Sequence, residues 1–179
     1  MAAIAVATEL GIPLESTQKA LANFSGIDRR FSFKGVYRDV EIFDDYGHHP
    51  VEIENTLLVA RKRAKGNLIV LFQPHRFTRT QKLWDHFINT FLQSDINHLI
   101  ITDIYPASEE AIEGISSLTF VEALKQHNPS FKVTYIRYEK DFNEMQTYLN
   151  TILAKNDLLL LLGAGKINKI APVLINSQS

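Results

Sequence analysis

Five consecutive leucines, Leu158-Leu159-Leu160-Leu161-Leu162, constrain the fold of this chain more than any other stretch. A strand with no polar position has no face to offer water, so it must be covered on both sides. Leu68-Ile69-Val70-Leu71-Phe72 has the same character, and further strands read over 99–102 and 132–136. The segments between them change period. After Pro50, Ile53, Leu57 and Leu58 follow at helical spacing up to Gly66. Leu83, Trp84, Phe87, Ile88, Phe91 and Leu92 stripe one face of a helix over 78–93. Thr119, with Glu122 three residues on, reads as the capping box of the next helix. Helices over 141–154 and 166–175 flank the leucine run. Buried strands alternating with amphipathic helices predict an α/β fold: a Rossmann-like, doubly wound, mostly parallel sheet with helices on both faces. Residues 30–45 differ. Phe31, Phe33, Val40 and Ile42 alternate with polar residues around a turn, which predicts an amino-terminal β-hairpin carrying an antiparallel strand.

Before the hairpin, residues 2–10 and 16–24 read as two short helices broken by Gly11 and Pro13, and 24–28 as a connector. The apolar start MAAIAVATELGIP has no cationic stretch before it and contains Glu9, so it reads as helix and not as a signal peptide. The leucine run is far too short for a membrane span, which needs ~20 residues. A formal net charge of −1 gives no electrostatic argument for nucleic acid or an anionic membrane. No cysteine means no disulfide framework and no thiolate metal site, which suits a reducing, cytoplasmic compartment.

In sheets of this kind ligands bind beyond the carboxyl ends of the strands. The polar chemistry of this sequence collects there. After 40–44 comes Asp45-Tyr46-Gly47-His48-His49-Pro50; after 68–72, Gln73-Pro74-His75-Arg76-Phe77-Thr78-Arg79-Thr80. After 99–102 comes Asp103-Ile104-Tyr105-Pro106-Ala107-Ser108-Glu109; after 158–162, Gly163-Ala164-Gly165-Lys166. Helix exits such as Ala64-Lys65-Gly66-Asn67 are plain turns.

Each motif also has a bland reading. Pro50 favours a first helical turn with His49 beside its N-cap, and Asp44 can cap a helix or pair with an arginine. His48, His49 and His75 lack the spacing of helical zinc ligands, so no metal site is expected. Arg76 and Arg79, three apart at a helix start, can share a face. Cations there oppose the helix dipole, so an anion site for a carboxylate or phosphate is the better reading. GAGK is not a phosphate-gripping P-loop, because Leu160 stands at the first glycine position and Ile167 at the Ser/Thr position. It reads as a tight strand-to-helix turn whose glycines let another group approach the backbone.

The segments DDYGHHP (44–50) and FQPHRFTRT (72–80), with FSGIDRRF (24–31) ahead of them, resemble the carboxy-terminal domain of the Mur ligases. Within that family of ATP-dependent peptidoglycan ligases they are similar to the members that join L-alanine to UDP-N-acetylmuramate. The resemblance runs from about Ala2 to Ala171. It implies that 1–24 are the last helices of a central ATP-binding domain plus the hinge, and that 25–179 are the carboxy-terminal, amino-acid-binding domain. It also implies an amino-terminal domain for the UDP-sugar and a central domain with a P-loop, neither of which is in this sequence. The implied reaction phosphorylates the sugar's lactyl carboxylate from ATP with Mg2+, and the amine of L-alanine attacks the acyl phosphate. Residue by residue, the resemblance assigns Arg76 and Arg79, with His75 beside them, to the alanine carboxylate, and His48 to the reacting centre. Asp45 would meet the ATP ribose, with Tyr46 near the nucleotide and Arg30 reaching its phosphates. Lys166 departs from the acid more usual after Gly-Ala-Gly. The rival readings are the related ligase that reattaches a recycled tripeptide, which is not expected to carry QPHRFTRT, a metal-dependent hydrolase, and a free-standing nucleotide or amino-acid binding module.

Overall fold

A computed structural model of the chain describes residues 2–23 and 29–177. The connector over 24–28, and with it the boundary between the two expected units, lies outside the described residues. The elements are α1 (Ala2–Glu9), α2 (Leu14–Ala22), β1 (Ser32–Tyr37), β2 (Val40–Asp45), α3 (Pro50–Arg63), β3 (Leu68–Phe72), α4 (Phe77–Lys82), α5 (Trp84–Gln93), β4 (His98–Ile101), α6 (Ser117–His127), β5 (Val133–Tyr135), α7 (Asn143–Ile152) and β6 (Leu158–Leu162). A single 3-10 turn (Ile167–Lys169) then leads into α8 (Ile170–Asn176).

The strands form one six-stranded sheet in the order β1-β2-β6-β3-β4-β5. β1 and β2 are an antiparallel hairpin, turned by Arg38 and Asp39 at positive φ of 49° and 62°. The other pairings are parallel. Strand β6 returns from the end of the chain to insert between β2 and β3, which explains its composition: the two central strands, β6 and β3, are wholly apolar and buried. Leu158, Leu160 and Leu162 enter one core with Ile53, Leu57 and Ala60 of α3, Phe87 and Phe91 of α5, and Phe120 and Leu124 of α6. Leu159 and Leu161 enter the other, with Met145 and Leu149 of α7 and Ile170, Ala171 and Leu174 of α8. Each such leucine contributes about 1.5–3 kcal/mol relative to exposure. The doubly wound sheet expected from the sequence is therefore present.

Two local expectations are corrected. The helix over 78–93 is two helices, because Leu83 leaves helical geometry (φ −113°, ψ 19°) with no proline or glycine to mark the break, and Trp84 packs edge-on against Phe120. The sixth helix starts at Ser117, and its capping box joins Ser116 to Thr119 in place of Thr119 to Glu122. Arg76 stands at the start of α4, as its N-cap residue, at φ +73°. Neither α1 nor α2 gives a side chain to either core, and Val6, Leu10, Leu14 and Leu21 stand exposed.

Candidate functional site

The register aligns Asp45, Leu162, Phe72 and Ile101 in one row across the sheet, so four strands end side by side and their exit loops form one rim. At the β2 exit, Asp45 folds the chain back on itself. Its Oδ1 accepts the Gly47 N–H at 2.7 Å and its Oδ2 the Phe31 N–H at 2.8 Å. Tyr46 is thrown outward. Glu52, on the first turn of α3, accepts the N–H groups of His48 (3.1 Å) and His49 (3.3 Å), which positions both histidines. Burial pushes the Glu52 carboxyl up, but those N–H groups, His48 and Arg30 outweigh it and hold it below the usual range. The two histidines part company, as adjacent residues must. His49 is the exposed N-cap of α3, whereas His48 is turned to the rim. A carbonyl can only accept, so the 3.0 Å contact of His48 Nδ1 with the Tyr46 oxygen puts the ring proton on Nδ1 and leaves Nε2 with a lone pair when the ring is neutral.

The neighbouring Arg29 was assigned no role from sequence, and it is the central strut of this region. Its guanidinium donates to buried Asp44 (3.1 Å) and to the carbonyls of Gly163 (2.5 Å) and Gly165 (3.3 Å), and lies 4.8 Å over the Tyr46 ring. Internal pairing is therefore what Asp44 is for, with Lys34 a second cation at 3.9 Å. Arg30 points the other way; its side chain is 54% exposed and 4.0 Å from Glu52.

The GAGK turn proves to be a socket for Gln73. Gln73 Oε1 accepts the N–H groups of Lys166 (2.7 Å) and Ile167 (3.1 Å). A Cβ on Gly165 would stand 2.1 Å from that oxygen, and one on Gly163, at φ +136°, 2.4 Å from the Gln73 carbonyl. What approaches the glycine backbone is thus the chain's own glutamine.

At the β3 exit, the loop after β4 is stitched alongside. Arg76 N–H donates to the Tyr105 carbonyl and Tyr105 N–H to that of Pro74, both at 2.8 Å. Arg79 Nη1 reaches back to His75 Nδ1 and to the His75 carbonyl, each at 3.1 Å. A guanidinium can only donate, so His75 Nδ1 accepts and its ring proton sits on Nε2. Burial, then Arg79, His48 and Arg76, depress His75 to about 4. It is a neutral ring at pH 7. His75 stacks on Tyr105 (5.4 Å) and tilts toward His48 (5.8 Å), which meets Tyr46 edge-on (5.4 Å). An internal carboxylate also lies at the start of α4: Glu109 accepts from Thr78 N (3.0 Å) and Oγ1 (2.7 Å) and lies 3.7 Å from Arg76.

The fold thus brings Tyr46, His48, His75 and Arg79 into one cluster, with Arg76 beside it and Arg30 and Asp45 on its β2 flank. Tyr105 and Glu109 were in a strand-exit segment but carried no role from sequence, since neither belongs to a spacing pattern. Next to the cluster, Gln73, Tyr105, Tyr138, Lys140, Lys166 and Lys169 line a cavity of about 480 Å³. Among the described residues no group of three or more His, Cys, Asp or Glu side chains is placed to hold a metal ion.

The family model for the Mur ligase, glutamate ligase domain, matches residues 29–165. The chain is 43% identical over 175 residues to a UDP-N-acetylmuramate--L-alanine ligase of Geotalea uraniireducens, covering 98% of this chain and 37% of the relative. It is 41% identical to the enzyme of that name from Syntrophus aciditrophicus, covering 98% and 35%. The chain thus spans little more than a third of the relatives' length. Among solved structures it is similar to the UDP-N-acetylmuramate-alanine ligase of Thermotoga maritima (TM-score 0.66, 24% identity, 98% of this chain and 35% of that one). It is also similar to a murein peptide ligase of Psychrobacter arcticus (TM-score 0.69, 22% identity, 97% and 35%). At these identities the two structures attest the fold. The chain belongs to the Mur ligase family, and its six-stranded sheet is that family's carboxy-terminal domain.

Proposed function

We propose that the chain is the amino-acid-binding domain of a cytoplasmic ligase that joins L-alanine to UDP-N-acetylmuramate at the expense of ATP in peptidoglycan synthesis. The observation that carries the reading is the β3 exit, where two arginines flank a histidine held neutral, on a chain more than 40% identical to ligases of that name. Arg76 and Arg79 are assigned to the amino-acid carboxylate, with His75 closing the site beside them. A neutral His75 adds no third positive charge and keeps a ring N–H to donate. His48, its Nδ1 tied to Tyr46, presents Nε2 to the reacting amine or the tetrahedral intermediate. Tyr46 and Arg30, both exposed on the β2 flank, face the nucleotide that another domain would carry. Asp45 is assigned to the ribose, each of its oxygens keeping a second lone pair beyond the one given to the backbone.

The rest of the reaction belongs to domains outside this chain. ATP and Mg2+ are assigned mainly to a central domain, as the likeness to the Mur ligases implies. The sugar's carboxylate would be phosphorylated there, and closure of this domain would deliver the amine to the acyl phosphate. Helices α1 and α2, with exposed Val6, Leu14 and Leu21, are assigned to that central domain as its last helices.

The test is steady-state kinetics of the full-length protein with each substrate varied in turn. Arg76→Ala should lower kcat/KM for L-alanine roughly 10- to 100-fold, a charge-assisted hydrogen bond being worth about 1.5–3 kcal/mol, with little change toward ATP. Arg76→Lys should rescue only in part, lacking the planar fork. Phosphate release by this chain alone should stay at background. A mutant that lost ATP affinity and kept its L-alanine parameters would make Arg76 a phosphate ligand. Turnover with a tripeptide in place of L-alanine would point to the recycling ligase.

A further inference from the structure

The two arginines of the β3 exit are held in different ways. Arg79 leans on a neutral ring and a carbonyl, both from His75. Arg76 has its backbone fixed by Tyr105, but its side chain is 49% exposed and long enough to sample many rotamers. Among the described residues, a carboxylate within ion-pair reach of it, that of Glu109, comes from the loop after β4. That loop runs beside the β3 exit through the His75–Tyr105 bridge, then turns sharply at Ala107 and Ser108, both at positive φ (47° and 70°). Two consecutive left-handed residues without glycine are costly, about 1–3 kcal/mol each, and persist only where the surroundings impose them. Their effect is to return Glu109 to the start of α4. There Oε1 accepts from Thr78 Oγ1 at 2.7 Å and Oε2 from Thr78 N at 3.0 Å, while Oε1 stands 3.7 Å from Arg76 Nη1.

We propose that Glu109 is a positioning residue: anchored by Thr78, it fixes the guanidinium of Arg76 so that the opposite edge of the fork is presented to the substrate's carboxylate. The inference rests on the ligase reading for its substrate, and on the geometry alone for its mechanism. Both Glu109 oxygens are already tied down, so the carboxylate is the fixed member of the pair and Arg76 the adjustable one. Thr78, with its N–H and hydroxyl, also holds the Glu109 carboxyl below the usual range, so it stays charged at neutral pH. An exposed ion pair adds little to stability. What it supplies is order, since a side chain immobilised before the ligand arrives need not be immobilised by it. A guanidinium has five donors in a rigid plane, so one Nη on Glu109 leaves the remaining edge for a second carboxylate.

The experiment has two arms. In this chain, 15N relaxation of the Arg76 Nε–H should report an ordered side chain, and Glu109→Gln should make it mobile with the melting temperature unchanged. In the full-length protein, Glu109→Gln should raise KM for L-alanine about 3- to 10-fold with KM for ATP unaltered, and Glu109→Asp should give an intermediate value. The decisive comparison is the double variant: in an Arg76→Ala background, Glu109→Gln should add nothing. Additive losses, a lowered KM in Glu109→Gln, or an Arg76 equally ordered without the charge would each overturn the inference. Absence of L-alanine turnover in the wild type would instead count against the ligase reading, and the relaxation arm would still decide the role of Glu109.

Discussion

The exits of β6 and β3 lie side by side on the rim and are both rich in polar groups, yet they spend them differently. At β6, the Gly163 and Gly165 carbonyls and the Lys166 and Ile167 N–H groups are consumed by Arg29 and Gln73. That corner is a joint, closed by two side chains that reach in from other segments. At β3, the cations stay at the surface: Arg79 is half-buried and Arg76 half-exposed, each steadied along part of its fork. The difference shows that density of polar residues at a strand end locates a rim, while the number of donors left over separates a joint from a binding site. It also predicts that substitutions at the joint should read out as stability and those at the β3 exit as affinity.

The largest effect is expected from Arg29→Met. It removes the 3.1 Å guanidinium partner of Asp44, which is fully buried, and breaking a buried ion pair costs about 3–5 kcal/mol. Urea unfolding of the chain measures it. Adding Asp44→Asn should recover much of the loss; a single-variant loss under ~1 kcal/mol would mean that Lys34 suffices and that the joint is not built on Arg29. Gly165→Ala comes next, at about 1–3 kcal/mol, because its Cβ must displace the Gln73 carboxamide and break both of its accepted hydrogen bonds. A neutral result would show that the socket can open freely.

Acid should also weaken the fold, and through the β3 side as well. His75 and the buried His98 of β4 are both depressed to about 4, His75 by burial and its cationic neighbours and His98 by burial and Lys132. Unfolded histidines take up protons near their ordinary value of about 6.5. The unfolded state therefore binds more protons between about 6.5 and 4, and stability should fall as pH is lowered through that window. Unfolding at pH 7, 6 and 5 gives the slope, and His75→Gln should reduce it. An NMR titration placing His75 near 6.5 would break the picture of a neutral ring packed among cations. The smallest stability change is expected from Arg76→Ala, within about 0.5 kcal/mol, since its side chain is half in solvent. Its cost should appear in the amino-acid kinetics instead. A loss of several kcal/mol in folding would erase the contrast between the two exits.

Hydrophobic order was legible because it is local. The leucine run of β6, the apolar β3 and the period of α3 each state their own burial, and burial on two faces leaves the doubly wound sheet as the outcome. The same locality placed the polar segments at strand exits, and the motifs over 44–50 and 72–80 named the family. Helix breaks without proline or glycine were not legible. Leu83 and the Ser116 cap depend on how α4, α5 and α6 settle against the sheet.

The sequence by itself therefore determined the layers, the hairpin, the rim and the set of residues that crowd it. Only the tertiary structure decided which of them are spoken for. Gln73 meets Lys166 across 93 residues of chain, Arg29 meets Gly163 across 134, and Glu109 meets Thr78 across 31. Those distances close because β6 inserts between β2 and β3, and because the loops after β3 and β4 run side by side. A hydrogen-bond partner is fixed by a neighbour in space, and a one-dimensional pattern carries no record of which strand will arrive beside it.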